Sequence, residues 1–212
     1  MPAPLPSLSF CMIGDTAIFL DLAGDRYFRL TSQKNAAFRS RLSGSVAGRN
    51  ALIAAGLDAR ADAAPVTMPI LPVTTRHRPH VRASFNPACL VRTIICQRRI
   101  ERHLKSRGLA AVLEDLHMKL HSSALAPVTD QARALQIVAA FDHARLVRSA
   151  VDRCLPRSIA LAQMLTKAGY RSQVIVGVKL QPFAAHCWVQ SGGMMLNESP
   201  EEAARYTPIL IL

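Results

Sequence analysis

Several features that mark common classes of protein are missing from this sequence. It contains no run of about 20 apolar residues, so we expect no membrane span. The first residues lack a basic segment followed by an apolar one, so we expect no secretory signal. The five cysteines form no CxxC pair, which argues against a zinc site and a disulfide framework. We therefore expect a cytoplasmic protein with free thiols, with neither a metal nor an organic cofactor.

Acidic residues are scarce: 14 Asp and Glu stand against 26 Lys and Arg, for a formal net charge of +12. Most of the excess lies between residues 66 and 110, which hold nine basic residues and one acidic residue. A solvated helix face with a linker is one interpretation, and a docking surface for an acidic peptide or protein is another. We expect no nucleic-acid partner, because no zinc finger, aromatic RNA-binding signature or leucine zipper accompanies the charge.

Half of the residues are hydrophobic, so the chain can bury a core, and we predict an α+β fold in two parts. Branched and aromatic runs separated by turn residues such as Gly24 predict strands, and polar caps followed by apolar residues predict helices. The first part is a small domain over residues 1–65, with strands at 9–13, 16–22 and 26–30 and helices at 33–42 and 50–57.

The second part follows a proline-rich stretch, residues 66–87, which we interpret as an extended linker. Residues 88–212 begin with helices and end with strands, an order typical of an α+β domain with an antiparallel sheet. The predicted helices are 88–107, 109–121, 130–151 and 155–168, and the predicted strands are 173–179, 185–190 and 194–197.

Cys154 stands at the predicted start of a helix, where the positive end of the helix dipole and the free N–H groups lower a thiol pKa. The same N–H groups, including that of Cys154 itself, can form part of an oxyanion hole. His186 follows at the start of a strand, on the same face as Trp188. A thiol, an imidazole and then a carboxylate is the chain order of a papain-like hydrolase or a transglutaminase.

The third member of this group can be drawn from two residues. Glu198 ends the strand that returns alongside His186, so the hairpin can bring the two side chains together. Asn197 is the alternative, since an amide orients the histidine in papain. Taken singly, each residue has an ordinary structural explanation, and Cys11 and Cys187 are interpreted as small buried hydrophobes. The order of the three residues and their placement favour catalysis.

The sequence around these residues resembles the lasso peptide B proteins, which are transglutaminase-like cysteine proteases. The likeness is carried by Cys154-Leu155-Pro156-Arg157-Ser158, by Val176-Gly177-Val178, by the stretch from Pro182 to Val189, and by Leu196-Asn197-Glu198. The family pattern reads His-Ala-Trp-Val and Leu-Asn-Asp. This chain therefore departs from it at Cys187 and at Glu198.

The resemblance implies a cysteine peptidase that removes the leader from a ribosomal lasso peptide precursor, with Cys154, His186 and Glu198 as its catalytic residues. The released core would pass to a separate cyclase that resembles asparagine synthetase and closes a macrolactam ring. Two other functions remain open. One is acyl transfer of the transglutaminase or amidase type, and the other is a non-catalytic chaperone that binds the precursor.

The N-terminal part resembles the leader-recognition element of the same systems, a small winged-helix-like domain. Such elements bind a leader by adding it as a strand to the edge of a sheet. Here the element and the peptidase are fused in one chain. The resemblance implies a leader-binding surface formed by aromatic and aliphatic side chains: Phe19, Leu20, Tyr27, Phe28, Leu30 and Phe38.

Overall fold

The structure is a computed structural model that describes residues 5–42, 85–122, 131–147, 153–191 and 194–212. The chain divides into two compact units, one over Pro6–Thr67 and the other over Met68–Leu212 together with Met1–Leu5. The predicted helix at 50–57 and the proline-rich stretch up to residue 84 lie outside the described residues.

The first unit contains a three-stranded antiparallel sheet in the order β1-β2-β3, followed by a helix. Its elements are β1 (Leu8–Ile13), β2 (Thr16–Asp21), β3 (Arg26–Arg29) and α1 (Ser32–Leu42). The three predicted strands and the first predicted helix are therefore confirmed to within two residues. Both hairpin turns contain a residue with positive φ, Gly14 and Asp25, as tight turns between strands require.

Aromatic rings form the core of this unit. Phe19 packs with its ring centroid 5.7 Å from Phe10, 5.1 Å from Phe28 and 5.1 Å from Phe38. Phe10, Phe19 and Phe38 are all buried. Asn35 adds two hydrogen bonds between the helix and the sheet region. Its Oδ1 accepts from the Ala17 N–H, and its Nδ2 donates to the Asp15 carbonyl. Helix α1 is thus held against the sheet by ring packing and by one amide.

In the described part of the second unit three helices come first: α2 (Pro87–Ser122), α3 (Gln131–Val147) and α4 (Cys154–Lys167). Helix α2 is broken at Gly108, where φ is 79°, so the predicted division at this glycine is confirmed. Pro87, assigned above to the linker, is instead the first residue of α2, because a helix tolerates proline in its first turn. None of the helices in the described ranges combines the length and apolar character that crossing a membrane requires.

Helix α4 is the central element of this unit and packs against α2, α3, β5 and β4. Ile159, Leu161 and Leu165 are fully buried. Arg157 is also buried and lies 3.5 Å from a carboxylate oxygen of Asp142 on α3. The helix that begins at Cys154 is therefore enclosed by neighbouring elements on several sides.

The second sheet has four antiparallel strands in the order β6-β5-β4-β7. The strands are β4 (Gln173–Leu180), β5 (Phe183–Ser191), β6 (Met194–Met195) and β7 (Thr207–Ile211), and a short helix, α5 (Pro200–Ala203), precedes β7. The predicted strands at 173–179 and 185–190 are confirmed, and the third, predicted at 194–197, ends at Met195. Strand β7 and helix α5 were not predicted. The molecule is therefore α+β, as the sequence indicates.

Candidate active site

Cys154 is the first residue of α4, and its side chain is the centre of the candidate site. Burial raises the pKa of this thiol. A hydrogen bond to His186, the charge of that imidazole and the backbone N–H groups of Cys187 and Leu155 together lower the pKa by more than burial raises it, so the net shift is downward. The thiolate is thus stabilised by donors from both α4 and β5. A lowered pKa is the property that a nucleophilic cysteine needs.

His186 lies on β5, next to two aromatic rings. Its ring centroid is 6.2 Å from that of Trp188 and 5.1 Å from that of Tyr206. Hydrogen bonds to Cys154 and to Glu198 raise the pKa of His186 to about 9, against the opposing effect of burial. The directions of the two shifts favour a thiolate–imidazolium pair, the reactive form of a papain-like site.

Both carboxylate oxygens of Glu198 are engaged. Oε2 lies 2.7 Å from Nε2 of His186, and Oε1 accepts a hydrogen bond of 2.9 Å from the Ser199 N–H. This arrangement leaves Nδ1 of the imidazole as the nitrogen available to the thiol. Burial raises the pKa of Glu198, but its hydrogen bonds to His186 and to the Ser199 N–H outweigh that effect and lower it. The glutamate is therefore ionised and fixed in orientation.

Asn197, the alternative partner of the histidine, has a different set of contacts. Its Oδ1 accepts from the Val189 N–H at 2.8 Å, and its Nδ2 donates to Ser158 Oγ at 2.9 Å. Ser158 in turn donates to the Cys187 carbonyl at 2.9 Å. All three bonds are buried. This network joins α4, one turn after Cys154, to the backbone of β5 at Cys187 and Val189, directly after His186.

Gly177 lies directly opposite His186 in the pairing of β4 with β5. A Cβ atom at this position would lie 2.8 Å from the ring of Trp188 and 2.9 Å from Cβ of Tyr206. The Trp188 ring and the Tyr206 Cβ therefore approach the Gly177 backbone so closely that a side chain has no space. In the sequence, Gly177 and Ser158 stand out only as parts of the family motif, and no local pattern points to Tyr206.

The arrangement contains the groups needed for covalent acyl chemistry. A thiolate at a helix N-terminus can attack a carbonyl carbon, and an imidazole beside it can protonate the leaving group. A carboxylate on the far nitrogen stabilises the imidazolium and selects the tautomer. Within the described residues, no group of three or more His, Cys, Asp or Glu is placed to hold a metal ion. All five cysteines are free thiols, and Cys11 and Cys187 are buried, as predicted.

The residues assigned above to leader binding divide into two groups. Phe19, Leu20 and Phe38 are 4%, 1% and 3% exposed, so their side chains lie in the core of the first unit and their assignment to leader binding stays a prediction. Their rings and branches fill the core because they lie on the strand and helix faces that pack together. Tyr27, Phe28 and Leu30 are partly exposed and are the predicted residues that remain accessible.

Comparisons with known proteins give one curated relative and one family. The microcin J25-processing protein McjB of Escherichia coli is 38% identical over 47 residues, which make up 22% of this chain and 23% of the relative. The alignment therefore spans about a quarter of that relative's length. No solved structure gives a significant match. The family model of the transglutaminase-like superfamily matches residues 96–211, more than half of the chain and the whole of the candidate site, so the chain belongs to the transglutaminase-like superfamily.

Proposed function

We propose that this protein is a cysteine peptidase that removes the leader from a lasso peptide precursor. The observation that carries the proposal is the hydrogen bond of 2.7 Å between Nε2 of His186 and Oε2 of Glu198. Beside it, at the start of α4, burial raises the pKa of the Cys154 thiol, but a hydrogen bond to His186 contributes to a net lowering. Membership in the transglutaminase-like superfamily supports it, because cysteine-dependent enzymes are typical of that superfamily.

In the proposed reaction the Cys154 thiolate attacks the carbonyl carbon of the peptide bond after the leader. The tetrahedral oxyanion is stabilised by N–H groups at the start of α4, for which the Cys154 amide is the candidate. His186 gives its proton to the leaving amine, and a thioester between the leader and Cys154 remains. His186 then takes a proton from water, which hydrolyses the thioester and regenerates the thiolate.

The substrate class follows from two considerations. The sequence resembles lasso peptide B proteins around Cys154 and His186, and the relative found among curated proteins is named for microcin J25 processing. In the first unit, β3 is an edge strand of the described sheet, and Tyr27, Phe28 and Leu30 lie on it or directly after it with partly exposed side chains. We propose that the leader pairs with this edge.

Incubation of the full chain with a candidate precursor tests the proposal. The wild-type protein should release two products whose masses sum to that of the precursor plus water, and Cys154→Ala should release none. Cys11→Ala is the matched control, since it removes a free thiol on β1 of the first unit and should leave the rate unchanged. Cleavage by Cys154→Ala at the wild-type rate would refute the assignment.

Acyl transfer is the second candidate function, because the superfamily match is named for transglutaminases and the same thioester can be attacked by an amine. Product masses separate the two functions. Hydrolysis yields the leader as a free acid. Acyl transfer in the presence of a primary amine instead yields the leader joined to that amine through an amide bond. We further propose that the free amine of the released core is the substrate of a separate cyclase.

A further inference from the structure

Tyr206 contacts His186 across an intervening strand. His186 lies on β5 and Tyr206 directly precedes β7, with β4 between them. Neighbouring strands lie about 4.8 Å apart, so side chains two strands apart are normally separated by a side chain on the central strand. Here the ring centroids of His186 and Tyr206 are only 5.1 Å apart. The two rings therefore meet over the full width of β4.

Gly177 makes this contact possible. It pairs with His186 on one side and with Pro208 on the other, so it occupies the place on β4 between the two rings. A Cβ atom there would lie 2.9 Å from Cβ of Tyr206. The missing side chain leaves the space through which the tyrosine ring reaches the imidazole.

Cys154 lies on the opposite side of the imidazole. Both backbone groups of Val189 bond to residues 196–197, after β6, so alternate residues of β5 direct their N–H and carbonyl groups away from β4. Cys187 belongs to this set, and its N–H bonds to the Cys154 thiol. His186 therefore stands between the thiol at the outer side of β5 and the tyrosine ring on the β4 side.

One short segment carries both Glu198 and Tyr206. Glu198 bonds to the imidazole just before α5, and Tyr206 packs on it just after α5. The Ala203 N–H donates to the Ser199 carbonyl at 3.0 Å, and the Tyr206 N–H donates to the Ala203 carbonyl at 3.1 Å. Ala203 is buried in a cluster that includes Trp188. The carboxylate and the ring are thus joined by an internally bonded segment that is anchored in the core.

We propose that Tyr206 is a positioning residue, and that the segment from Glu198 to Tyr206 holds the His186 imidazole from two directions. The carboxylate fixes the far nitrogen, and the tyrosine ring limits rotation of the imidazole away from the thiol. Lys179 on β4 packs on the same tyrosine, with its Nζ 4.9 Å from the ring centroid, and this cation–π contact stabilises the orientation of the ring.

The role of Tyr206 in catalysis rests on the function proposed above. The imidazole is charged before it protonates the leaving amine and neutral afterwards, when it takes a proton from water. A charge-assisted hydrogen bond is stronger than a neutral one, so Glu198 holds the neutral imidazole less firmly. Packing against Tyr206 does not depend on that charge. It therefore keeps the imidazole in place while the thioester is hydrolysed.

The charged groups around this contact come from several elements. Cys154 on α4 and Glu198 before α5 bond to the imidazole directly. Lys179 on β4 faces the Tyr206 ring, and the charge of Arg145 on α3 acts on Glu198. All of these groups remain when Tyr206 is replaced by an uncharged residue. A changed titration of the site would therefore report on its geometry rather than on a lost charge.

Replacement of Tyr206 tests the inference without a substrate, since Tyr206→Leu removes the ring and Tyr206→Phe keeps it. In Tyr206→Leu the pH at which iodoacetamide modifies Cys154 should rise by about 0.5–1 unit, because the hydrogen bond to His186 that lowers the pKa of Cys154 acts only at close range. The pKa of His186, about 9 in the wild type, should fall in an NMR titration. Tyr206→Phe should match the wild type in both measurements.

Tyr170→Leu is the matched control, because it makes the same substitution at another partly exposed tyrosine of this unit, after the end of α4. It should leave both profiles unchanged. Wild-type profiles in folded Tyr206→Leu would overturn the inference, and equal losses in Tyr206→Phe and Tyr206→Leu would overturn the role of the ring. NOEs between the ring protons of Tyr206 and His186 in the wild type test the contact even if Tyr206→Leu does not fold, and their absence would also overturn the inference.

Cleavage of a precursor gives a separate readout. Tyr206→Leu should lower kcat by about ten- to a hundredfold, as expected for a displaced catalytic group, and should leave KM within about twofold. A loss confined to KM would indicate contact with the substrate and overturn the positioning role. If the wild-type protein cleaves no precursor, the proposed function fails, while the alkylation and NMR measurements still decide whether Tyr206 positions His186.

Discussion

The Nε2 atom of His186 and the Oε2 atom of Glu198 lie 2.7 Å apart, in a chain whose family resemblance leads one to expect aspartate at position 198. The glutamate reaches the imidazole because the Ser199 N–H holds its other oxygen at 2.9 Å. Ser199 is itself fixed as the N-cap of α5. The longer side chain is thus supported by the turn that follows it.

We expect Glu198→Gln to lower the proposed peptidase activity by about 10²- to 10⁴-fold, since a neutral amide no longer stabilises the imidazolium. Glu198→Asp should give an intermediate loss, because the backbone at Ser199 limits how far the shorter carboxylate can approach. Titration of His186 by NMR provides a readout independent of substrate. Its pKa, about 9 in the wild type, should fall in Glu198→Gln. An unchanged pKa would contradict the role of the carboxylate.

The same ion pair makes stability depend on pH. The pKa of His186 is raised from 6.5 to about 9. The contribution of His186 to the free energy of unfolding is therefore complete below pH 6.5 and is lost as pH rises through 9. The pKa of Glu198 is lowered from 4.5, so its contribution is present above pH 4.5 and is lost in more acidic solution. Wild type should therefore exceed Glu198→Gln by about 1.5–3 kcal/mol in free energy of unfolding between pH 5 and 6.5, and by less at pH 9. Urea unfolding at both pH values checks this.

Alkylation of Cys154 should begin at a lower pH than alkylation of an ordinary thiol, because His186 and two backbone N–H groups lower its pKa. In His186→Ala nothing outweighs the effect of burial, which raises the pKa of Cys154. The pH at which iodoacetamide begins to react with Cys154 should therefore be higher than in the wild type. Rates measured from pH 5 to 10, with the modified residue identified by mass spectrometry, test this. Cys96, whose pKa is raised, serves as the internal reference. Identical profiles for wild type and His186→Ala would refute the coupling.

Ser158 and Asn197 should act as positioning residues. Ser158→Ala breaks the bonds to the Cys187 carbonyl and to Asn197, leaving buried polar groups unpaired at a cost of about 1–3 kcal/mol in the free energy of unfolding. It should also raise the pH at which Cys154 is alkylated, because the Cys187 N–H shifts with its strand. Thr166→Ala is the control, since its hydroxyl bonds only within α4, to the Ala162 carbonyl. If Cys154 is alkylated over the same pH range in Ser158→Ala as in the wild type, Ser158 and Asn197 have a structural role alone.

Gly177→Ala should disturb the site through the aromatic rings. The new methyl group would lie 2.8 Å from Trp188, and the overpacking should cost about 1–3 kcal/mol. Trp188 is the single tryptophan of the chain, so its emission spectrum reports directly on this contact and should change. Gly169→Ala, at a position with φ of 77°, should lower stability through backbone strain without changing the emission. An unaltered spectrum in Gly177→Ala would contradict the close approach.

The two groups of predicted leader-binding residues should respond differently to substitution. Tyr27→Ala, at a partly exposed residue of an edge strand, should weaken leader binding with little change in stability. Phe38→Ala removes a ring that is 3% exposed and should lower the free energy of unfolding by about 3–5 kcal/mol. Calorimetric titration with a leader peptide and thermal unfolding measure the two effects. Equal leader affinity in wild type and Tyr27→Ala would argue against the β3 edge.

Most secondary structure could be predicted because local chemistry determines it. Gly108 divides α2 and Gly169 follows the end of α4, both with positive φ, and proline and glycine punctuate the sequence at these places. Strand β7 was missed. It contains Pro208, which is a signal against a central strand, but β7 lies at the edge of its sheet, where proline is tolerated. Edge position is a property of the assembled sheet and is absent from the local pattern.

The sequence by itself determined which chemistry is available: a thiol at a helix start, then an imidazole on a strand and a carboxylate after the hairpin that follows. Tertiary structure decided which of two adjacent residues faces the histidine, because the bend after β6 turns Glu198 to the imidazole and Asn197 to Ser158. It also buried Phe19 and Phe38 and brought Tyr206 against His186 across β4. Such outcomes depend on packing between elements far apart in the chain, which local periodicity and residue preference do not encode.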